Sequence, residues 1–241
     1  MTPRVSRSFR PSLPVTLILA LLAVLFASLG SWQIRRAAEK AILETEHQHA
    51  PSLALDTALA TERRFARVET SGHYDPQRHI LLDNQLWQGR GGVHVFTPFV
   101  TSSGTAILVN RGWLPLPPDR RELPAVPTPA EEVTVRGMLN DFPVPGRMVG
   151  EADRLETDRW PQLVTYMRHA DIARVLGLPL ETHIIQLSRD AEHGFEDRDW
   201  KPVFLSAERH RAYAFQWYAL LAACVILWLL VSLRKTRVDD T

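Results

Sequence analysis

Only one of the 241 residues is cysteine, Cys224. No internal disulfide can form, and no multi-cysteine metal cluster can be built. The thiol count leaves the compartment open, since a cysteine-free domain can live on either side of a membrane. An excess of charge of one sign is also missing. Lys and Arg total 28 against 27 Asp and Glu, a net charge of +1. That gives no basic field to draw nucleic acid and no acidic tail to solvate. Signatures of catalysis are missing too: there is no GxSxG elbow, P-loop, GxGxxG, HExxH or CxxC. Asp and Glu are scattered, with no pair marked out for acid–base work. Internal repeats and low-complexity segments are absent. The expectation is a protein that is not an enzyme.

Apolar residues gather at the two ends of the chain and charges fill the middle. Leu13 to Leu29 (LPVTLILALLAVLFASL) carries no charge, and extension to Trp32 gives about 20 residues. At about 1.5 Å per residue this spans roughly 30 Å, the hydrocarbon thickness of a bilayer. Pro14 falls in the first turn, where a missing N–H costs little. Arg4, Arg7 and Arg10, with Ser28-Leu29-Gly30 as a cleavage site, would suit a signal peptide. The apolar run is longer than an h-region of about 7–15 residues, so a retained anchor is expected. A second uncharged run, Ala212 to Leu233, ends at Arg234, Lys235 and Arg237, and a soluble helix of that length with no polar face would be unusual.

Two spans place both termini on one side. The basic tails favour the cytoplasm under the positive-inside rule, although Arg35, Arg36, Arg209 and Arg211 flank the spans on the other side. The intervening segment is too long for its charge to decide. The expected division is a cytoplasmic tail 1–11, a span 12–32, an extracytoplasmic domain 33–211, a span 212–233 and a tail 234–241. Trp32 and Trp217 would sit near the outer interface. Gln33 to Gln48 reads as a helix leaving the membrane. Arg67–Ser71, Ile80–Leu86, Val93–Val100, Ala106–Asn110, Glu132–Met138 and His183–Leu187 read as strands punctuated by glycines. Thr101 to Thr105 has the length of a hairpin loop. Pro115 to Pro129 is too rich in fixed φ angles for a central element and reads as an extended surface loop. Tyr166 to Leu176 reads as a helix closed by Gly177 and Pro179. The fold class is α+β, dominated by an antiparallel sheet able to curl into a small barrel.

Nine histidines are present. His47 and His49, two apart on a helix, face different ways and cannot share a metal. His73, His79, His94, His169, His183 and His193 stand singly and read as ordinary surface or half-buried residues. His210 differs in context, standing at the mouth of the second span. At about 100° per residue it shares one stripe with Tyr213, Trp217, Leu221, Cys224 and Trp228. Such a stripe can pack on the first helix or hold a flat amphipathic ligand. An imidazole at that depth is able to ligate haem iron, and Arg209 and Arg211 are able to pair with carboxylates.

Gly30-Ser31-Trp32-Gln33, followed by Arg35, Arg36, Lys40 and Leu43, resembles the opening motif of the surfeit locus protein 1 family, as does Gly72-His73-Tyr74. Gly92 to Pro115 is similar to that family's most recognisable stretch, including Thr97-Pro98 and Val109-Asn110-Arg111-Gly112-Trp113. Gly137 and Trp160 sit where the family has a glycine and a tryptophan. His210, Tyr213-Ala214 and Trp217 resemble its closing H-x-x-Y-A-x-x-W motif. The sequence departs from the pattern at Glu208, where many members have asparagine, and at Ser31, where an aromatic is common.

The resemblance implies a function in biogenesis of haem-copper terminal oxidases, chiefly cytochrome c oxidase, in the bacterial inner membrane. It implies transient binding of haem a and its delivery to the large catalytic subunit, with the haem a synthesis enzyme as a further partner. On that basis His210 is the expected iron ligand, with Tyr213, Trp217, Arg209 and Arg211 around the cofactor. Asn110, Arg111 and Trp113, with Trp32 and Gln33, are the expected partner surface. The plainer reading of Asn110-Arg111-Gly112-Trp113 is a strand end turning at Gly112, with Trp113 packed on the core. A scaffold that stabilises an oxidase subunit without binding haem is the alternative, and a membrane-bound enzyme with its site in the β domain is a third.

Overall fold

The computed structural model describes residues 5–119, 122–143, 153–200 and 206–237. The ends of the two expected tails, 1–4 and 238–241, lie outside them, as do residues 120–121 of the proline-dense loop. The elements run β1 (Val5–Phe9), α1 (Leu13–Gln48), β2 (Ser52–Ala54), α2 (Leu55–Ala60), β3 (Arg67–Tyr74), β4 (Ile80–Trp87) and β5 (Arg90–Thr101). They continue as β6 (Ala106–Pro115), β7 (Val133–Asp141), β8 (Gln162–Val164), α3 (His169–Leu176), β9 (Leu180–Leu187), α4 (Ala207–Ser232) and β10 (Leu233–Arg237). The chain divides into two compact units, Met1–Gln48 with Pro202–Thr241, and His49–Lys201.

The first unit is a helix pair. α1 has 36 residues and α4 has 26, both long and apolar enough to cross a membrane. Their outer faces expose Leu17, Ile18, Leu21, Val24, Phe215, Ile226 and Leu230, a surface that belongs in lipid. This is the behaviour of a membrane protein. A heptad of buried and half-buried positions runs along each helix: Thr16, Leu19, Ala23, Phe26, Gly30, Gln33 and Ala37 on α1, and Ala207, His210, Ala214, Trp217, Leu221, Cys224 and Trp228 on α4. A strict seven-residue repeat keeps one seam facing the partner helix. Small residues at that seam let the backbones approach in a solvent without a hydrophobic effect. Gln33 to Gln48 continues α1 without a break, as its composition suggests. Beyond the helix ends β1 pairs antiparallel with β10, and Phe9 lies edge-on to Trp228 with centroids 5.5 Å apart.

The second unit is built on a closed barrel of five strands. β3 pairs with β7, β7 with β9, β9 with β6, β6 with β5, and β5 returns to β3. The β6–β9 pairing is parallel and the other four are antiparallel. β4 and β8 extend the sheet beyond β5, and β2 adds to β3. The barrel interior holds Val68, Tyr74, Phe99, Ile107, Val109, Val135, Leu139 and Ile185. Residues that alternate with them, Phe96, Leu108 and Ile184, face outward under Ile172, Val175 and Leu176 of α3. β6 is therefore buried on both faces, which is why its first four residues, Ala106 to Val109, read as a continuous apolar run. The proline-dense loop lays Leu116, Leu123 and Val126 over Leu81, Val93 and Val95.

Several boundaries shift: β3 runs on to Tyr74, β5 starts at Arg90 and β7 ends at Asp141, and three further shifts have a local cause. β6 does not stop at Asn110: it passes through Gly112, whose φ is +110°, and ends at Pro115. The expected turn is a kink, needed because a Cβ at Gly112 would lie 2.5 Å from the Glu196 carbonyl oxygen. α3 begins at His169 rather than Tyr166, since the Asp153 carboxylate already accepts the N–H groups of Thr165 and Tyr166. β9 begins at Leu180, three residues earlier than expected, because Leu180 pairs with Ala106 at the start of β6.

Candidate ligand site

The site is built from the first turns of α4 and the middle of α1. Ser206 is the N-cap of α4, its hydroxyl accepting the N–H of Arg209 at 3.3 Å. The Glu44 carboxylate, reaching over from α1, accepts the N–H of Ala207 at 3.0 Å. Two of the four orphan donors of the helix start are thereby satisfied, and Glu44 and Glu208 complement its positive end. This capped turn presents His210 toward α1, where it is 7% exposed. Its Nδ1 lies 2.6 Å from Oε1 of Gln33. With the carbonyl oxygen as acceptor, this contact calls for the proton on Nδ1. Nε2 then holds a lone pair and takes no hydrogen bond among the described residues.

The rest of the seam explains the sequence around Gln33. The Tyr218 ring lies flat against Gly30, where a Cβ would come within 2.9 Å of it. The Tyr218 hydroxyl pairs with the Ser31 hydroxyl at 3.2 Å. Trp217 stacks on Phe26 at 5.8 Å, and Trp228 Nε1 donates to Thr16 Oγ1 at 3.0 Å. Gly30-Ser31-x-Gln33 is thus a docking strip for Tyr218 and His210.

The structure keeps His210, Trp217, Leu221, Cys224 and Trp228 on one stripe but leaves Tyr213 outside it, 43% exposed. Ala214 takes the seam position, because at about 100° per residue it lies roughly 40° round the helix from His210, against roughly 60° for Tyr213. Arg209 and Arg211 are exposed on either side of His210. Trp32 is 44% exposed, with the Arg36 guanidinium 5.9 Å from its ring. Sequence reasoning missed Tyr218 and Glu44. The seven-residue spacing of Ala23, Gly30 and Ala37 was the available signal.

Asn110, Arg111 and Trp113 do not form a surface. All three are buried in the β domain, and a partner cannot reach their side chains. Asn110 Oδ1 accepts the N–H of Gly112 at 3.1 Å. Arg111 donates to the carbonyls of His193 and Pro127 and to the Thr128 hydroxyl at 2.7–2.8 Å. Its guanidinium lies between the Tyr74 and Phe195 rings, and burial pushes it down to about 10. Trp113 is sealed off, its Nε1 donating to Gln85 O at 3.0 Å. These residues fasten the proline-dense loop and the 193–196 segment to the barrel.

Among the described residues no group of three or more His, Cys, Asp or Glu could hold a metal ion. A haem needs less from a protein, an axial ligand and a place for its charged edge. His210, with a free Nε2 and two exposed arginines beside it, fits that requirement.

The model of the SURF1 family matches residues 20–222. The chain belongs to the SURF1 family. The match takes in the seam from Ala23 to Ala37 and from Ala207 to Leu221, with the whole barrel of this SURF1-family chain. It is similar to a SURF1-like protein of Rickettsia bellii, 27% identical over 222 residues, covering 85% of each chain. Surfeit locus protein 1 of Xenopus tropicalis is 27% identical over 241 residues, covering 90% of this chain and 76% of the frog protein. A SURF1-like protein of Mycobacterium tuberculosis is 26% identical over 204 residues, covering 80% and 73%.

Proposed function

We propose that this protein is an assembly factor for haem-copper terminal oxidases that binds haem a through His210 and gives it up to the large catalytic subunit. The observation that carries the reading is the 2.6 Å contact between Gln33 and His210, which leaves Nε2 as a free ligand at the head of the helix pair. Haem a would supply the redox iron of the target oxidase, and the protein's own part is to hold and release it. His210 gives one nitrogen ligand, which suits a carrier that must let go. Arg209 and Arg211 offer charge-assisted hydrogen bonds to the propionates. The exposed apolar faces of α1 and α4 leave the farnesyl tail in lipid. The basic tails support an orientation with both termini in the cytoplasm and the barrel outside a bacterial inner membrane.

The burial of His210 against α1 also favours a second reading, a scaffold in which the histidine only packs helices. An optical spectrum separates the two. The parent protein, purified from cells that make haem a, is compared with a His210→Ala variant. A haem a band in the parent that is lost from a folded variant supports the carrier. Absence of haem from both, with haem a abundant in the cells, refutes it in favour of the scaffold. A double Arg209→Gln, Arg211→Gln variant that holds haem as well as the parent at every salt concentration would remove the arginines from the site.

A further inference from the structure

We propose that Gln33 is the positioning residue of His210, an amide that fixes the tautomer of the imidazole and aims its Nε2 lone pair out of the helix seam. The consequence for iron rests on the reading of His210 as a ligand. The geometry does not.

Neutral imidazole carries its proton on either nitrogen, and the hydrogen bond made by one nitrogen decides what the other can do. In this protein Nδ1 meets Oε1 of Gln33 at 2.6 Å, a short contact for a donor and a carbonyl acceptor. No second group competes for either nitrogen among the described residues. The position of Gln33 is itself fixed from both sides. It follows Gly30 and Ser31, which hold Tyr218, and precedes Ala37, which is 2% exposed in the same seam. The backbone of Gln33 is therefore held opposite His210, within reach of its ring.

A residue needed only for helix packing could be any side chain of similar bulk. A glutamine beside a histidine in an apolar seam adds direction and a fixed proton. Partners of this kind hold the ring and raise its basicity, and their removal typically costs about 10–100-fold in metal affinity.

The test uses the full chain in detergent or nanodiscs, labelled with ¹⁵N-histidine, with the His210 signals identified by their loss in His210→Ala. The parent is expected to show a protonated Nδ1 and a bare Nε2. In Gln33→Leu the ring should revert to the Nε2–H form that free imidazole prefers, and Gln33→Glu should keep the proton on Nδ1. Haem titration should then give about 10–100-fold weaker binding for Gln33→Leu. Gln33→Glu should bind, with a more negative reduction potential than the parent, a shift that a packing role would not produce. Circular dichroism of each variant confirms that the helices persist, and Gln33→Glu keeps the test open if Gln33→Leu fails to fold.

A parent ring protonated on Nε2, or a tautomer indifferent to Gln33, overturns the proposal. Equal haem affinity in Gln33→Leu and parent, with binding lost in His210→Ala, overturns the positioning role while the carrier survives. Unchanged binding in His210→Ala removes His210 as the ligand and Gln33 as its positioning residue, while haem carriage through another ligand survives.

Discussion

Replacing Arg111 by Ala tests how the β domain is held closed. The guanidinium makes three hydrogen bonds to neutral acceptors, each worth about 1.5–3 kcal/mol when the donor is charged. It also lies against two rings, at about 0.5–2 kcal/mol each. Against these stands the cost of burying the charge. The fall from 12.5 to about 10 corresponds to roughly 3 kcal/mol. Relaxation of the freed carbonyls toward water recovers more, so a net loss of about 3–5 kcal/mol is expected. For a domain of this size that is a drop of about 10 °C in Tm. Tryptophan fluorescence of the full chain in detergent reads it, because Trp87 and Trp113 lie 5.3 Å apart beside the fastened loop. Arg111→Lys, a point charge unable to serve three acceptors, should fall between parent and Ala. A Tm change under about 2 °C for Arg111→Ala would refute the fastening role and reopen the surface reading.

Tyr74→Phe should leave neutral-pH stability within about 1 kcal/mol of the parent, since the hydroxyl is buried without a partner. Burial raises that phenol from 10 to about 12, so the folded state keeps a proton that the unfolded chain loses. Parent stability relative to Tyr74→Phe should be fully present below pH 10 and fall as pH rises toward 12, in alkaline denaturation curves. His94 is pulled below its usual 6.5 by burial, with Asp197 opposing. Its contribution is fully present above pH 6.5 and lost as pH falls from there through the lowered folded-state value, and urea titrations should show a flatter acid limb for His94→Gln. Gly30→Val should push Tyr218 off the seam and cost about 1–3 kcal/mol. Thermal melts of the double variant with Tyr218→Ala should recover part of that loss.

The helices and most strands were legible in the sequence because their signals are local. Leu13–Leu29 and Ala212–Leu233 are spans by length alone, and alternation with glycine punctuation locates β3, β4, β5 and β7. β6 was cut short because Asn110, Arg111 and Gly112 read as a turn. Only the approach of Glu196, distant in sequence, shows that the glycine permits a kink inside a strand. The burial of Arg111 was illegible for the same reason, since two of its three acceptors are backbone carbonyls that leave no trace in residue type. His210 was marked by its place at the head of a span, whereas its partner Gln33 was assigned to a partner surface. The pairing of β1 with β10 could not be read, as both are short polar runs whose only β signal is each other.

Gln33 and His210 are separated by 177 residues. At about 5–20 residues per second of synthesis, α1 waits on the order of 10–35 s for α4. Through that interval a glutamine and a serine sit in the first helix with no interhelical partner, and Gly30 is a notch with nothing in it. A ribosome that stalls within the barrel leaves a tethered fragment carrying half of the helix seam and an open polar face. Completion of the seam is thus a statement that translation reached the last helix.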